Sequence, residues 1–521
     1  MGSALQIHAA DPTVANGGLL RWQQAQQLIK SRRSAEALPA YVALIKQFPS
    51  NHQLQFECGL AAVASLDFGL ANRCFAKVHE LAPDDAETLL ALGQQYHRLR
   101  QPAQARACFE AAIAVAPDSA PARLGWAAWL EREHKLAEAW ECNEETVAKN
   151  PHEPGPLYYR AFLMHRQGRA SEAEAVLRPL VKRDLPDPNL QISCRHLLAV
   201  VLDELGQYDE ALGWLREAKS GVRALANVPA LEQAYDKTDR ARRQLLTGLT
   251  PQMIRRWRTQ TPPSVMPCPL ALLGGHPRSG TTLLEQILGA HPDVLAFDES
   301  EAFASEIWEA LEPMHAPPTS AAALDGLSPS RCSAVRARYF KSLFRELAAP
   351  PAGKVLLDKN PGPTAALHLW LRLFPASKVI IALRDPRDVI LSCYFQQLTL
   401  TPMNANFLSL ERAAKYYGDL MDVWLRVREL GGFDAIETRY EDFAGDPEKE
   451  GRRVTEFLGL TWRPDQARSH EAARRTLVFS PTYNDVTKPA HNRAIGRWKH
   501  YADALAPLQP ALSKYCQTFG Y

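Results

Sequence analysis

The chain has 521 residues, with 60 Lys and Arg against 58 Asp and Glu, a formal net charge of +2, 46% hydrophobic and 23% charged residues. That is an ordinary globular balance: it excludes wholesale disorder, and no global field would draw nucleic acid or an anionic membrane. No apolar run reaches the roughly 18 residues of a membrane span, so no membrane insertion is expected, and at roughly 100–200 residues per domain the length allows two to four domains.

Residues 1–17 read as a tail without the charged and apolar segments of a secretory signal, and the expectation is a cytoplasmic protein. The nine cysteines are odd in number and contain no CxxC pair, which argues against a disulfide framework or a zinc site. From residue 18 the chain repeats itself. Ala37, Ala71, Ala105, Ala139 and Ala173 recur at 34 residues, and Ala211 follows after a slip of four. Ala25, Gly59, Gly93 and Ala127 keep the same period, as do Tyr41, Phe75 and Phe109, and Pro49, Pro83, Pro117 and Pro151. Small residues let two helices approach, an aromatic side chain fills the gap, and Pro ends the second helix. This is the tetratricopeptide pattern, about six repeats over 18–225, and it predicts an α-solenoid. Cys74, Cys108 and Cys142 also lie 34 apart and read as packed small residues. Residues 226–265 lose the period, gain prolines and read as a short helix followed by an extended linker.

Residues 266–521 change character. LALLGG at 270–275 reads as a buried strand, HPRSGTT as a Gly-rich turn, and LLEQILGAH as a helix. Backbone N–H groups and the helix dipole at such a turn cradle a phosphate. Gly275 and Gly280 keep the GxxxxG spacing of a nucleotide-triphosphate loop, but Thr281 stands where a kinase or ATPase carries Lys. Three more strands end in polar groups. KVLLDKNP ends in Asp358 and Lys359, KVIIALRDPRD in Arg384, Asp385, Arg387 and Asp388, and FDAIETRYED in Arg439, Tyr440, Glu441 and Asp442. In an open parallel sheet such ends converge on one crevice, so the expected class is α/β with a central parallel sheet and a P-loop-like site.

At this point the residues carry a family resemblance. Pro277-Arg278-Ser279-Gly280-Thr281-Thr282, then His291-Pro292-Asp293-Val294 and Asp298-Glu299-Ser300, resemble the opening of sulfotransferases that use 3′-phosphoadenosine 5′-phosphosulfate (PAPS). Within that superfamily the spacing from Arg278 to Glu299, Lys359, Arg384 and Ser392 is most similar to the tyrosylprotein sulfotransferases. The ending, Asp485-Val486-Thr487-Lys488-Pro489 and Arg493-Ala494-Ile495-Gly496-Arg497-Trp498, resembles bacterial sulfotransferases with tetratricopeptide repeats in front.

The resemblance implies that Arg278, Ser279, Gly280, Thr281 and Thr282 hold the 5′-phosphosulfate, and that Arg384 and Ser392 hold the 3′-phosphate. It implies Tyr440 packed at the nucleotide, with Lys488 and Arg493 closing over the phosphates, and adenosine 3′,5′-bisphosphate as product. Transfer is then an in-line displacement at sulfur. A phenol ionises only near pH 10, so a carboxylate must take its proton. Glu299 is the candidate base, with Glu301 as the nearby alternative. Lys359 and Arg278 are the cations that neutralise the leaving oxygen, and no metal is expected because they do the work Mg²⁺ does for ATP.

Two other readings stay open: a nucleotide-dependent kinase, to which Asp358 would contribute a strand-end carboxylate, and a repeat scaffold with an inactive catalytic domain. The acceptor is open as well. The tyrosylprotein enzymes carry arginines beyond the catalytic Glu, where this chain has Glu301 and Ser305. A tyrosine in a peptide or protein recruited by the repeats, a glycan and a small phenol are all compatible, and no nucleic acid partner is expected.

Overall fold

The computed structural model describes residues 16–30, 34–65, 67–99, 101–261, 266–300, 302–308, 320–345, 347, 351, 353–473 and 492–521. Lys488 and Glu301 lie outside the described residues. The chain forms two compact units, Met1–Gln207 and Tyr208–Tyr521.

Helices between Asn16 and Leu225 follow one another in pairs, from Asn16–Lys30 with Ser34–Gln47 to Pro188–Glu204 with Tyr208–Leu225. The period is the spacing of their contacts. Ala37, Ala71, Ala105, Ala139 and Ala173 are all fully buried. A Cβ on Gly59 would stand 2.5 Å from the Phe75 ring, and one on Gly93 would stand 3.0 Å from the Phe109 ring. The same small-against-aromatic contact therefore recurs one repeat later. Helices end at Gln47, Leu81, Val115 and Lys149, two residues before each periodic proline. Cys74 and Cys108 are buried among these contacts and Cys142 is half-buried.

The unit boundary falls between the two helices of the sixth pair. Tyr208–Leu225 belongs to the second unit, where Tyr208 stacks on His500 at 4.1 Å between ring centroids and Lys219 Nζ donates to the Gln396 carbonyl at 2.6 Å. The expected linker is also more ordered than its prolines suggest. Val228–Thr247 and Pro251–Gln260 are helices, and each proline sits in the first turn behind an N-cap, Asn227 or Thr250, whose side chain accepts a backbone N–H. Both helices pack on the second unit through Tyr235 to Asp419 and Trp257 to Asp325.

The second unit is built on five parallel strands: β1 (Leu270–Gly275), β2 (Val294–Asp298), β3 (Val355–Lys359), β4 (Lys378–Leu383) and β5 (Asp434–Arg439), in the order β2-β3-β1-β4-β5. Four match the strands read from sequence; β2 is additional. Strands alternate their side chains between faces. Ala271, Leu273, Leu357, Ile380 and Ala382 share one core with Leu284 and Leu288 of the helix Thr281–Gly289 and Val454 of the helix Pro447–Phe457. Asp358, one residue on from Leu357, faces the other way and accepts the Tyr339 hydroxyl from the helix Pro329–Leu343. Because all strands are parallel, their carboxyl ends lie on one edge, and the site residues lie there.

Candidate active site

The turn after β1 is shaped by contacts that only glycine permits. Gly275 has φ +127°, and a Cβ there would stand 2.4 Å from the Ala382 carbonyl of β4. Gly280 caps the helix Thr281–Gly289 at φ +87°, and a Cβ would lie 2.5 Å from the Tyr440 ring. Between them Arg278 takes φ +73°, costly for a side-chain-bearing residue. Glu299 is likewise left-handed, at φ +51°. Two of the three positive-φ non-glycine residues among those described are thus expected site residues, as strain concentrates where function over-determines a conformation.

Around this turn the anion-binding candidates come together. Ser279, Thr281, Thr282 and Ser392 are buried, and Arg278 Nε donates to Ser392 Oγ at 3.1 Å. Ser392 lies on the helix Pro386–Tyr394, directly after β4. Arg384 donates to the carbonyls of Arg278 and Ala494 and lies 4.8 Å from the centroid of the Tyr440 ring. Its Nε is buried without a hydrogen-bond partner among the described residues. A buried guanidinium N–H left unmatched, beside a cradle that a Cβ would fill, fits a phosphate-bearing ligand. The loop that supplies Ala494 is held by Asp388, whose carboxylate accepts the N–H groups of Gly496 and Trp498 at 2.7 and 2.8 Å. Arg387 stacks on Trp498 at 3.8 Å from its ring centroid, and Arg493 is exposed in the same loop. Asp388 and Arg387 carry no role in the sequence reading.

The second group sits at the ends of β2 and β3. Lys359 is 0% exposed, yet its Nζ reaches Asp298, Glu299 Oε1 at 3.1 Å and Glu285 Oε2 at 3.6 Å. Register places it there: Asp298 is paired with Lys359 across the two strands, and the Glu299 N–H continues the ladder to the Lys359 carbonyl at 2.7 Å. Burial works against the ammonium, but Glu285, Asp298 and Glu299 outweigh it and hold the lysine above its ordinary range. Glu285, on the buried face of Thr281–Gly289, is pushed up to about 8, first by burial and then by Asp298 and Glu299, against the pull of Lys359. Glu299 keeps a side chain 37% exposed and so is open to a second reactant.

Asp358 does not join this group. It is fully buried on the opposite face of the sheet, and burial pushes its carboxyl up to about 7 while the Tyr339 hydroxyl and Lys359 pull it down. The carboxylate that spoke for a kinase therefore points away from the loop. His276 is sandwiched near the rings of Tyr416 and Tyr417, and burial drives it down to about 4 although the Pro277 carbonyl opposes this. It is a neutral packing residue.

Residues 269–464 match the model of the sulfotransferase family, and 23–86 and 86–119 match tetratricopeptide repeats. The second half of the chain thus resembles the sulfotransferase family and the first half resembles tetratricopeptide repeats. Residues 107–244 also match the N-terminal domain of the ESX-1 secretion system protein EccA1. Among relatives, protein-tyrosine sulfotransferase 2 of Gallus gallus is 24% identical over 44% of this chain and 63% of its own length. Protein-tyrosine sulfotransferase 1 of Danio rerio is 26% identical over 44% of this chain and 65% of its own. The alignments thus span less than two thirds of these relatives. A solved sulfotransferase domain from the Synechococcus PCC 7002 olefin synthase aligns over 49% of this chain and 95% of its own, at 22% identity and a TM-score of 0.37. The glycine turn, Lys359 and Arg384 all fall inside the residues matched to the sulfotransferase family, and the loop bearing Arg493 lies beyond them. Among the described residues no helix is long and apolar enough to cross a membrane.

Proposed function

We propose that this chain is a PAPS-dependent sulfotransferase acting on a hydroxyl. The observation that carries the reading is a fully buried, charged Lys359 beside a half-open Glu299, at the strand ends next to the glycine turn. PAPS would supply an activated sulfuryl group on a phosphate leaving group. Arg278 and the N-terminus of Thr281–Gly289 bind its 5′ side; Arg384 and Ser392 bind its 3′-phosphate; Tyr440 packs at the nucleotide; Lys488 and Arg493 cover the phosphates. Glu299 takes the proton of the acceptor hydroxyl as the oxygen attacks. Lys359 and Arg278 neutralise the charge that builds on the leaving oxygen in a site where water screens little.

The acceptor side favours an uncharged or weakly charged hydroxyl over an acidic peptide. No arginine occurs between Glu299 and Trp308, and Ser305 is buried. A tyrosine in a non-acidic peptide, a glycan or a small phenol suits it, with the repeats recruiting a macromolecular acceptor. The test is release of adenosine 3′,5′-bisphosphate from PAPS with a phenol, together with the mass of the sulfated product. Glu299→Gln keeps nucleotide affinity and lowers kcat roughly 10²–10⁴-fold. A fully active Glu299→Gln protein with a dead Glu301→Gln protein moves the base to Glu301, and phosphorylated product replaces the reading with a kinase.

A further inference from the structure

Among the described residues the second unit contains two buried lysines with opposite fates. Lys219 is 5% exposed, meets only a carbonyl oxygen and the Tyr394 ring among the described residues, and burial drives it down to about 7. Lys359 is more deeply buried and stays charged. The difference is its carboxylates, and they come from two directions. Asp298 and Glu299 approach from β2 and its end. Glu285 approaches from the helix that begins at the glycine turn, one turn after Thr281. Leu284 and Leu288 pack into the core beneath the sheet, and this fixes Glu285 against Lys359 with 3% exposure. Among the described residues its Oε2 has no hydrogen-bond partner, and it lies 3.6 Å from Nζ. A lone buried carboxylate oxygen aimed at one cation is costly to keep unless it acts on that cation.

We infer that Glu285 is a positioning residue that holds the Lys359 ammonium charged and centred at the end of β3, independently of Glu299. Its use in transfer rests on the proposed function: when Glu299 accepts a proton, Lys359 loses one negative neighbour at the moment its own charge is needed. Asp298 and Glu285 remain. Because burial raises Glu285 to about 8, its charge grows as pH rises through that value, so its support of Lys359 is strongest on the alkaline side. The remaining charged neighbour on β3, Asp358, faces away.

The test reads the lysine itself. In full-length protein carrying ¹³Cε-labelled lysine, the Lys359 signal, assigned with Lys359→Arg, is titrated in wild type and Glu285→Gln. At 3.6 Å one carboxylate shifts this titration by about one to three pH units, so the lysine of Glu285→Gln loses its proton that much earlier, and Glu285→Asp falls between. In turnover with PAPS, kcat of Glu285→Gln matches wild type near pH 6.5 and declines at lower pH than wild type on the alkaline limb, with nucleotide KM unchanged. An unshifted lysine titration overturns the inference, as does a kcat lost equally at every pH. A wild-type protein that does not turn over PAPS overturns the proposed function and leaves the lysine titration to decide this role.

Discussion

Gly280→Ala is the substitution whose cost follows most directly from the coordinates. The residue sits at φ +87°, and an added Cβ would lie 2.5 Å from the Tyr440 ring and 2.9 Å from Phe443. A left-handed backbone costs a side-chain-bearing residue about 1–2 kcal/mol. Forcing two core rings aside costs about 1–3 kcal/mol more, a total of about 2–5 kcal/mol. Gly353 separates the two terms: it lies at φ +75° with nothing among the described residues within 4 Å of its Cβ position, so Gly353→Ala carries only the first. The ring that Gly280→Ala displaces lies 4.8 Å from Arg384, so nucleotide binding must suffer with stability. Thermal unfolding of both variants, with calorimetric titration of adenosine 3′,5′-bisphosphate, reads both quantities. Gly353→Ala should bind as wild type does; Gly280→Ala should be the less stable and bind more than tenfold more weakly. Equal behaviour of the two variants would refute the packing of Tyr440 against the glycine turn.

Two further outcomes follow from the fold. Asp358 has a folded-state pKa raised to about 7 from an ordinary 3.8, so its contribution to stability is complete below the lower value and lost as pH rises through the upper one. Asp358→Asn still accepts the Tyr339 hydroxyl and lacks that loss, so its unfolding free energy should fall less between pH 4 and pH 8 while turnover is kept; an inactive variant would return Asp358 to the chemistry. Truncation tests the boundary: residues 208–521 should bind the nucleotide product as the full chain does, whereas 226–521 lacks Lys219 and Tyr208 and should bind it more weakly. With 208–521, KM for a macromolecular acceptor should rise while a small phenol is turned over as before; unchanged KM for both acceptors removes the recruiting role of the repeats.

The repeats were legible because each depends on contacts inside one short period, such as Gly59 with Phe75, which a single sequence displays directly. Strands β1, β3, β4 and β5 were legible as apolar runs ending in charge. Strand β2 was not: VLAFD at the sheet edge is mostly half-buried and follows a turn, so it carries neither a clean alternation nor a fully apolar run. For Asp358 and Lys359 the sequence shows two charged neighbours at a strand end, and a step of one residue sends them to opposite faces. Sequence alone does not say which one meets the site. Glu285 was missed because an acid within LLEQILG reads as a solvated helix position. Its signal is its place one turn after Thr281, between the apolar residues Leu284 and Ile287. Pro229 and Pro251 do not break the chain because Asn227 and Thr250 cap the helices in whose first turns they sit.

The central claim is that the strand-end crevice reads a 3′-phosphate, and calorimetric comparison of adenosine 3′,5′-bisphosphate with ADP, without added metal, tests it most directly. On the proposed reading Arg384 and Ser392 each contact a 3′-phosphate that ADP lacks, and at about 1.5–3 kcal/mol per charge-assisted bond the two ligands should differ by more than tenfold. The difference should vanish in Arg384→Ala with Ser392→Ala. Equal affinities in the wild-type protein, or nucleotide binding that requires Mg²⁺, would contradict the account.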